Sequence, residues 1–153
     1  MVIPPEAPVN TMQVTFKRLD PELPVPSPAN IGDGAVDLHT RVEILIPPGE
    51  RAKTPTGLAV AIPPGWAGLV LPRSGHADRL GVGLVNSPGL IDSGYRGEIA
   101  VILINHGKET AHFARGDRIA QLAIVPAPTV DWVEVDDLDE TERGAGGFGS
   151  TGS

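Results

Sequence analysis

A chain of 153 residues with a formal charge of −7 is one domain's worth of sequence and can bury a core of its own. The lack of cysteine excludes a disulfide scaffold and any thiolate metal site, and the acidity argues against general affinity for a nucleic-acid backbone, which needs a basic surface. With 19 glycines, 16 prolines and only 4% aromatic residues, the composition favours short strands and frequent turns over long helices.

In chain order, residues 1–11 form a proline-rich segment expected to be flexible, and residues 12–138 are read as a β domain. Apolar runs at Val42–Ile46, Leu58–Ile62, Gly68–Leu71, Ile99–Ile104 and Ile119–Val125 are each strand-length and bounded by Pro, Gly or Asn. Their spacing suggests a β-sandwich, jelly roll or barrel. The one helical candidate runs from about His76 to Leu80. Between the third and fourth runs, Val85 to Glu98 packs polar and aromatic groups around turn residues. Ser93-Gly94 is a two-residue turn candidate, which would set Asp92 and Tyr95 opposite each other at a hairpin mouth. A carboxylate beside an aromatic face suits general-base work next to a sugar or base; the plainer alternative is a surface hairpin whose Asp caps a turn. Residues 139–153 read as a glycine-rich arm. Ordering such an arm costs roughly 1–2 kcal/mol per residue, which a ligand would have to supply.

Other features carry little chemistry. His39, His76, His106 and His112 lack metal-ligand spacing, so structural or surface roles are expected. Trp66 and Trp132 lie beside strand-like sequence and read as packing residues. Arg115-Gly116-Asp117 spells an adhesion tripeptide, taken as coincidence because no secretion signal is found. No Walker-type phosphate loop occurs. Without a secretory or membrane-spanning segment, a cytoplasmic location is the default expectation. Arg73, Arg115, Arg118 and Arg143 supply local positive charge that would suit a small anion.

Five segments stand in fixed order: Ile31–Leu38, Pro72–Ala77, Val85–Glu98, Arg115–Leu122 and Arg143–Gly152. Together they closely resemble the five motifs of trimeric deoxyuridine triphosphatases, from about Asp33 to the C-terminus. Two positions depart from that pattern. Gly34-Ala35 stand in reversed order, though Asp37 is in place, and His76 replaces the usual apolar residue after Arg-Ser-Gly. The second change would alter packing behind the phosphate loop or a subunit contact, and removes no ligand group.

The resemblance implies an all-β, jelly-roll-like fold with one short helix, assembled as a homotrimer with shared active sites. Each site would take the hairpin from one subunit, Arg73-Ser74-Gly75 from another and the arm from the third. It implies hydrolysis of dUTP to dUMP and pyrophosphate, supplying dUMP for thymidylate synthesis and keeping uracil out of DNA, with no nucleic-acid or membrane partner. Arg73, Ser74 and Gly75 would hold the phosphate chain, with a guanidinium, a hydroxyl and an unhindered N–H in a row, and Gln121 would reach the α-phosphate. Asn86, with backbone groups around Leu90, Ile91 and Ala100, would pair with the uracil edge. Tyr95 would lie under the deoxyribose and exclude a 2′-hydroxyl. The tight hairpin would exclude the thymine methyl group, and cytosine would present a donor where uracil presents an acceptor.

Asp92 is the implied base for an in-line water attack at the α-phosphorus. Mg²⁺ would be bound mainly by phosphate oxygens and waters, with Asp37 as their outer partner. Phe148 would stack on uracil while Arg143, Gly149, Ser150 and Thr151 close over the γ-phosphate. Two rivals share the scaffold. A deoxycytidine triphosphate deaminase would carry Arg-Ser-Ser and a glutamate base, and a non-catalytic binder could lack the base or the arm. Arg73-Ser74-Gly75 and Asp92-Ser93-Gly94-Tyr95 favour hydrolysis.

Overall fold

Among the described residues, 12–147 of the computed structural model, eleven short strands and one helix follow one another. They are β1 (Thr15–Arg18), β2 (Ala35–His39), β3 (Ile44–Ile46), β4 (Arg51–Pro55), β5 (Leu58–Ala61), β6 (Trp66–Leu71), α1 (Ser74–Leu80), β7 (Val82–Leu84), β8 (Gly89–Ile91), β9 (Ala100–Asn105), β10 (Ala111–Phe113) and β11 (Arg118–Pro126). Every pairing is antiparallel, in sheets ordered β2-β11-β6-β8, β4-β9-β7, β1-β5 and β3-β10. The fold is all-β and jelly-roll-like, with one short helix. No helix among these residues is long and apolar enough to cross a membrane.

Alternation explains the strands. In β9, Val101, Leu103 and Asn105 are buried while Ala100, Ile102 and Ile104 are half-buried. Inward residues from separate sheets, including Leu38, Ile46, Val70, Leu103, Ile119 and Leu122, meet with Ile99, just before β9, in one core. Each large apolar side chain buried there contributes about 1.5–3 kcal/mol.

Three polar residues, Thr40, Thr54 and Asn105, are fully buried, and Asn105 binds separate segments together. The Asn105 amide nitrogen donates to the carbonyls of Ile46 and Glu109, both at 2.7 Å, while its oxygen accepts from the Gly107 N–H at 2.8 Å. One side chain thereby ties β9 to the ends of β3 and of the turn before β10, with its hydrogen-bonding capacity used inside the protein.

The helix begins two residues earlier than the sequence indicates, at Ser74, because Arg73 is extended and its carbonyl accepts the N–H groups of His76 and Ala77. It stops at Gly81, which is left-handed (φ 68) and donates to Ala77. A side chain at Gly81 would come within 2.7 Å of the Gly107 backbone nitrogen, so the helix end docks backbone to backbone on the turn after β9.

Trp66 packs against the core as expected, but Trp132 does not: it is 88% exposed. After β11 closes at Pro126, residues 127–147 form neither helix nor strand, so among the described residues that segment joins no sheet. The proline-rich segment 1–11 lies outside the described residues.

Candidate active site

On the β2-β11-β6 part of the large sheet, Gln121 is the cross-strand partner of both Asp37 and Leu71, so three side chains stand in one row on one face. Pro72 then turns the chain out of β6, and Arg73, at the helix N-cap, makes no capping bond with its side chain. Its guanidinium instead reaches back over the sheet. Arg73 Nε donates to Asp37 Oδ1 at 3.0 Å, Arg118 Nη1 donates to Asp37 Oδ2 at 3.3 Å, and Gln121 Nε2 donates to the Pro72 carbonyl at 2.9 Å.

These groups border a cleft of 640 Å³, lined also by Asp33, Ser74, Gly75 and Arg79. Arg79 donates to the Gly75 carbonyl at 3.2 Å, and a Cβ at Gly75 would stand 3.3 Å from its guanidinium, so the absence of a side chain keeps that approach open. The cleft thus has three guanidiniums and two carboxylates, with Asp37 shared by Arg73 and Arg118 and Arg79 held by a backbone carbonyl. An anion with several oxygens is the complement to such a wall. At the end of β2, burial holds the His39 imidazole below its usual range, opposed by the pull of Asp37.

Asn86, Leu90, Ile91, Asp92, Tyr95 and Ala100 do not line this cleft. The turn at Ser93-Gly94 forms, closed by the Tyr95 N–H donating to the Asp92 carbonyl at 3.0 Å. The hairpin expected around it does not: β8 pairs with β6, while β9 has β4 and β7 on its two edges. The turn is a crossing between sheets, and its shape is held from within. Arg96 Nη1 donates to the carbonyls of Ser93 (2.6 Å) and Tyr95 (2.8 Å), and the Tyr95 hydroxyl donates to the Glu98 carbonyl at 2.9 Å. The same hydroxyl lies against the Gly97 Cα, where a Cβ could not fit. Asp92 is exposed, Tyr95 is 43% exposed and Leu90 is 61% exposed, so these groups face solvent in the single chain. Asn86 lies beside Gly89, where a Cβ would stand 3.3 Å from its amide nitrogen.

Two further arginines fall elsewhere. Arg115 turns away from the cleft, donating to Asp20 at 2.7 Å and Glu22 at 2.9 Å, and its contact holds the Asp20 carboxyl below the usual range. Arg143 is exposed and donates to the Gly146 carbonyl at 2.9 Å, outside the cleft. Phe148, Gly149, Ser150 and Thr151 lie outside the described residues. Arg79 and Asp33 are cleft residues that the sequence reading did not single out. Arg79 stands four residues after Gly75 and shares its helix face, but only because the helix starts at Ser74, two residues before the start that the sequence indicates.

The dUTPase family model matches residues 22–152. A deoxyuridine 5′-triphosphate nucleotidohydrolase of Nocardia farcinica is 54% identical over 140 residues, covering 91% of this chain and 85% of its own. That of an Anaeromyxobacter species is also 54% identical, covering 92% of this chain and 99% of its own. Among solved structures, a Staphylococcus bacteriophage 80alpha dUTPase mutant with dUpNHpp superposes with a TM-score of 0.86 at 26% identity, over 94% of this chain and 100% of its own. With an ordered motif set, a shared fold and close relatives over nearly the full length, this chain belongs to the dUTPase family.

Proposed function

We propose that the protein is a dUTP diphosphatase, cleaving dUTP to dUMP and pyrophosphate in the cytoplasm. The observation that carries this reading is the convergence of Asp37, Arg73, Ser74, Gly75 and Gln121 on one cleft, three segments far apart in the chain. The cleft receives the phosphate chain: Arg73 and Arg118 bind oxygens, and Gln121 exchanges the Pro72 carbonyl for the α-phosphate. The turn at Asp92 receives the nucleoside, with Asn86 on the uracil edge and Tyr95 against the sugar. Asp92 accepts a proton from the water whose oxygen attacks the α-phosphorus, while the bond to the bridging oxygen breaks and pyrophosphate leaves.

Since neither half lines the other's surface, we propose a homotrimer in which the turn of one subunit faces the cleft of the next and the arm of the third closes over both. The arm contributes Arg143, Phe148, Gly149, Ser150 and Thr151. Asymmetric partition of a site between copies accounts for exposed Asp92, Tyr95 and Leu90 in the single chain.

The donor set also fits Mg²⁺. Among the described residues no group of three or more His, Cys, Asp or Glu could hold a metal, whereas Asp37 offers one hard carboxylate in the cleft. Mg²⁺ commonly uses one or two carboxylates plus substrate phosphates and keeps several waters. When bound, it would neutralise charge on the phosphates, with Asp37 holding its waters. A structural Mg(II) ion is described for the dUTPase of phage phi11 of S. aureus, which shares the fold at 24% identity and a TM-score of 0.77.

Incubation with dUTP and dCTP separately tests the reading. Pyrophosphate from dUTP is expected; ammonia from dCTP would mean a deaminase, and no product from either would mean a binding protein.

A further inference from the structure

We infer that His76 is a positioning residue, tying the Arg73–Gly75 wall of the cleft to β11 through the backbone of Arg118. The inference rests on the cleft's being the phosphate site.

His76 does not line that cleft; its ring lies behind Arg73, bordering a separate hollow with Phe113 and Arg118. Nε2 stands 2.6 Å from the Arg118 carbonyl oxygen and 3.2 Å from Arg73 Nη1. A carbonyl oxygen only accepts, so the shorter contact puts the proton on Nε2. The opposite tautomer would accept from Arg73 but press two lone-pair atoms together at 2.6 Å. With Nε2 protonated, Arg73 Nη1 abuts the ring at 3.2 Å without bonding to it, and the guanidinium is held on its other side by Asp37 at 3.0 Å.

Packing alone does not require an imidazole here. The ring meets Phe113 edge-on, with centroids 5.1 Å apart, a contact a leucine would also satisfy. Nδ1 is buried and without a hydrogen-bond partner, a cost that an apolar side chain would avoid. What the histidine adds is one bond, made where the sheet needs it. The ladder between β11 and β2 shifts register between Arg118 and Ala120, so regular pairing does not fix the backbone there. Arg118 reaches Asp37 from this irregular stretch, and Gln121 follows three residues on. Holding the Arg118 carbonyl to α1 therefore sets the distance between the two walls that the phosphate chain must span.

Three variants test this in the full-length protein: His76→Leu, His76→Gln and His76→Asn. Gln can place an amide N–H near the Nε2 position, whereas Asn is too short. His76→Leu should raise KM for dUTP, and Kd for the non-hydrolysable analogue dUpNHpp, by about three- to tenfold, the weight of one hydrogen bond. Turnover at saturation and Tm should stay near the parent values. His76→Gln should restore most of the affinity and His76→Asn should not. Unchanged affinity in His76→Leu, or equal losses in the Leu and Gln variants, would overturn the inference. A lowered Tm that tracks the affinity loss across all three would reduce His76 to a packing residue. The tether is judged separately by ¹⁵N NMR of the imidazole, where an Nδ1–H tautomer would refute it with or without ligand. A parent protein that leaves dUTP intact would instead sink the functional reading, and with it the role of the tether.

Discussion

Replacing Asp37 by asparagine probes the cleft where two of its arginines meet. The carboxylate accepts from Arg73 at 3.0 Å and from Arg118 at 3.3 Å. An amide keeps one oxygen for Arg73 and turns an NH₂ toward Arg118, so one attraction weakens and the other becomes donor against donor. The side chains of Asp37 and Arg73 are 21% and 24% exposed and that of Arg118 is 53% exposed, so most of the loss comes from the Arg73 pair. That puts the destabilisation of Asp37→Asn at about 1–2 kcal/mol. For a chain of this size the corresponding fall in Tm is roughly 2–8 °C, shrinking as salt is added. If Asp37 also holds the waters of Mg²⁺, the Mg²⁺ concentration that supports dUpNHpp binding should rise by about 10–100-fold. Thermal melts at low and high salt, with Mg²⁺ titrations of analogue binding, read the two effects apart. An unchanged Tm at low salt would refute the ion-pair argument, and an unchanged Mg²⁺ requirement would remove Asp37 from the metal's surroundings.

Asp92→Asn should lower turnover by about 10²–10⁴-fold while calorimetry finds dUpNHpp binding nearly intact; near-normal turnover would discard Asp92 as the base. Mixing Asp92→Asn with a chain lacking residues 143–153 should recover part of the activity if sites are shared. No recovery after verified subunit exchange, or a monomer by light scattering, would count against the trimer. Arg115→Gln should move acid unfolding to higher pH. The Asp20 carboxyl is held low chiefly by its hydrogen bond from Arg115, so its stabilisation is present above the unfolded value of 3.8 and lost as pH falls through the lower folded one. A variant with the parent's acid transition would show that the pair does not contribute.

Turns and strand cores were legible in the sequence because their signals are local. Glycine and proline mark where β4, β5 and β6 end, and the alternation in β9 follows from its own six residues. Partner choice was not legible. Nothing near Tyr95 announces that β9 already has β4 and β7 on its edges, so the crossing at Ser93-Gly94 was indistinguishable from a hairpin. Side-chain direction failed for the same reason. Arg115 and Arg118 lie in one motif, yet one bonds Asp20 and the other Asp37, because the turn and register shift between them are properties of the folded sheet. The place of Arg79 over Gly75 depends on the helix starting at Ser74, and Trp132 is exposed because its strand-like sequence has no strand to join among the described residues after Pro126.

At Asn105 it is polarity, more than shape, that joins the strands. Aspartate has nearly the same outline but offers only lone pairs to the two carbonyls of Ile46 and Glu109, which the amide now satisfies. A change from amide to acid, whether by mutation or by slow loss of ammonia, would leave the Gly107 contact intact and set oxygen against oxygen at both others. The most conservative-looking replacement in volume would therefore be among the most disruptive. The chain's durability over time depends on the chemical survival of one buried amide.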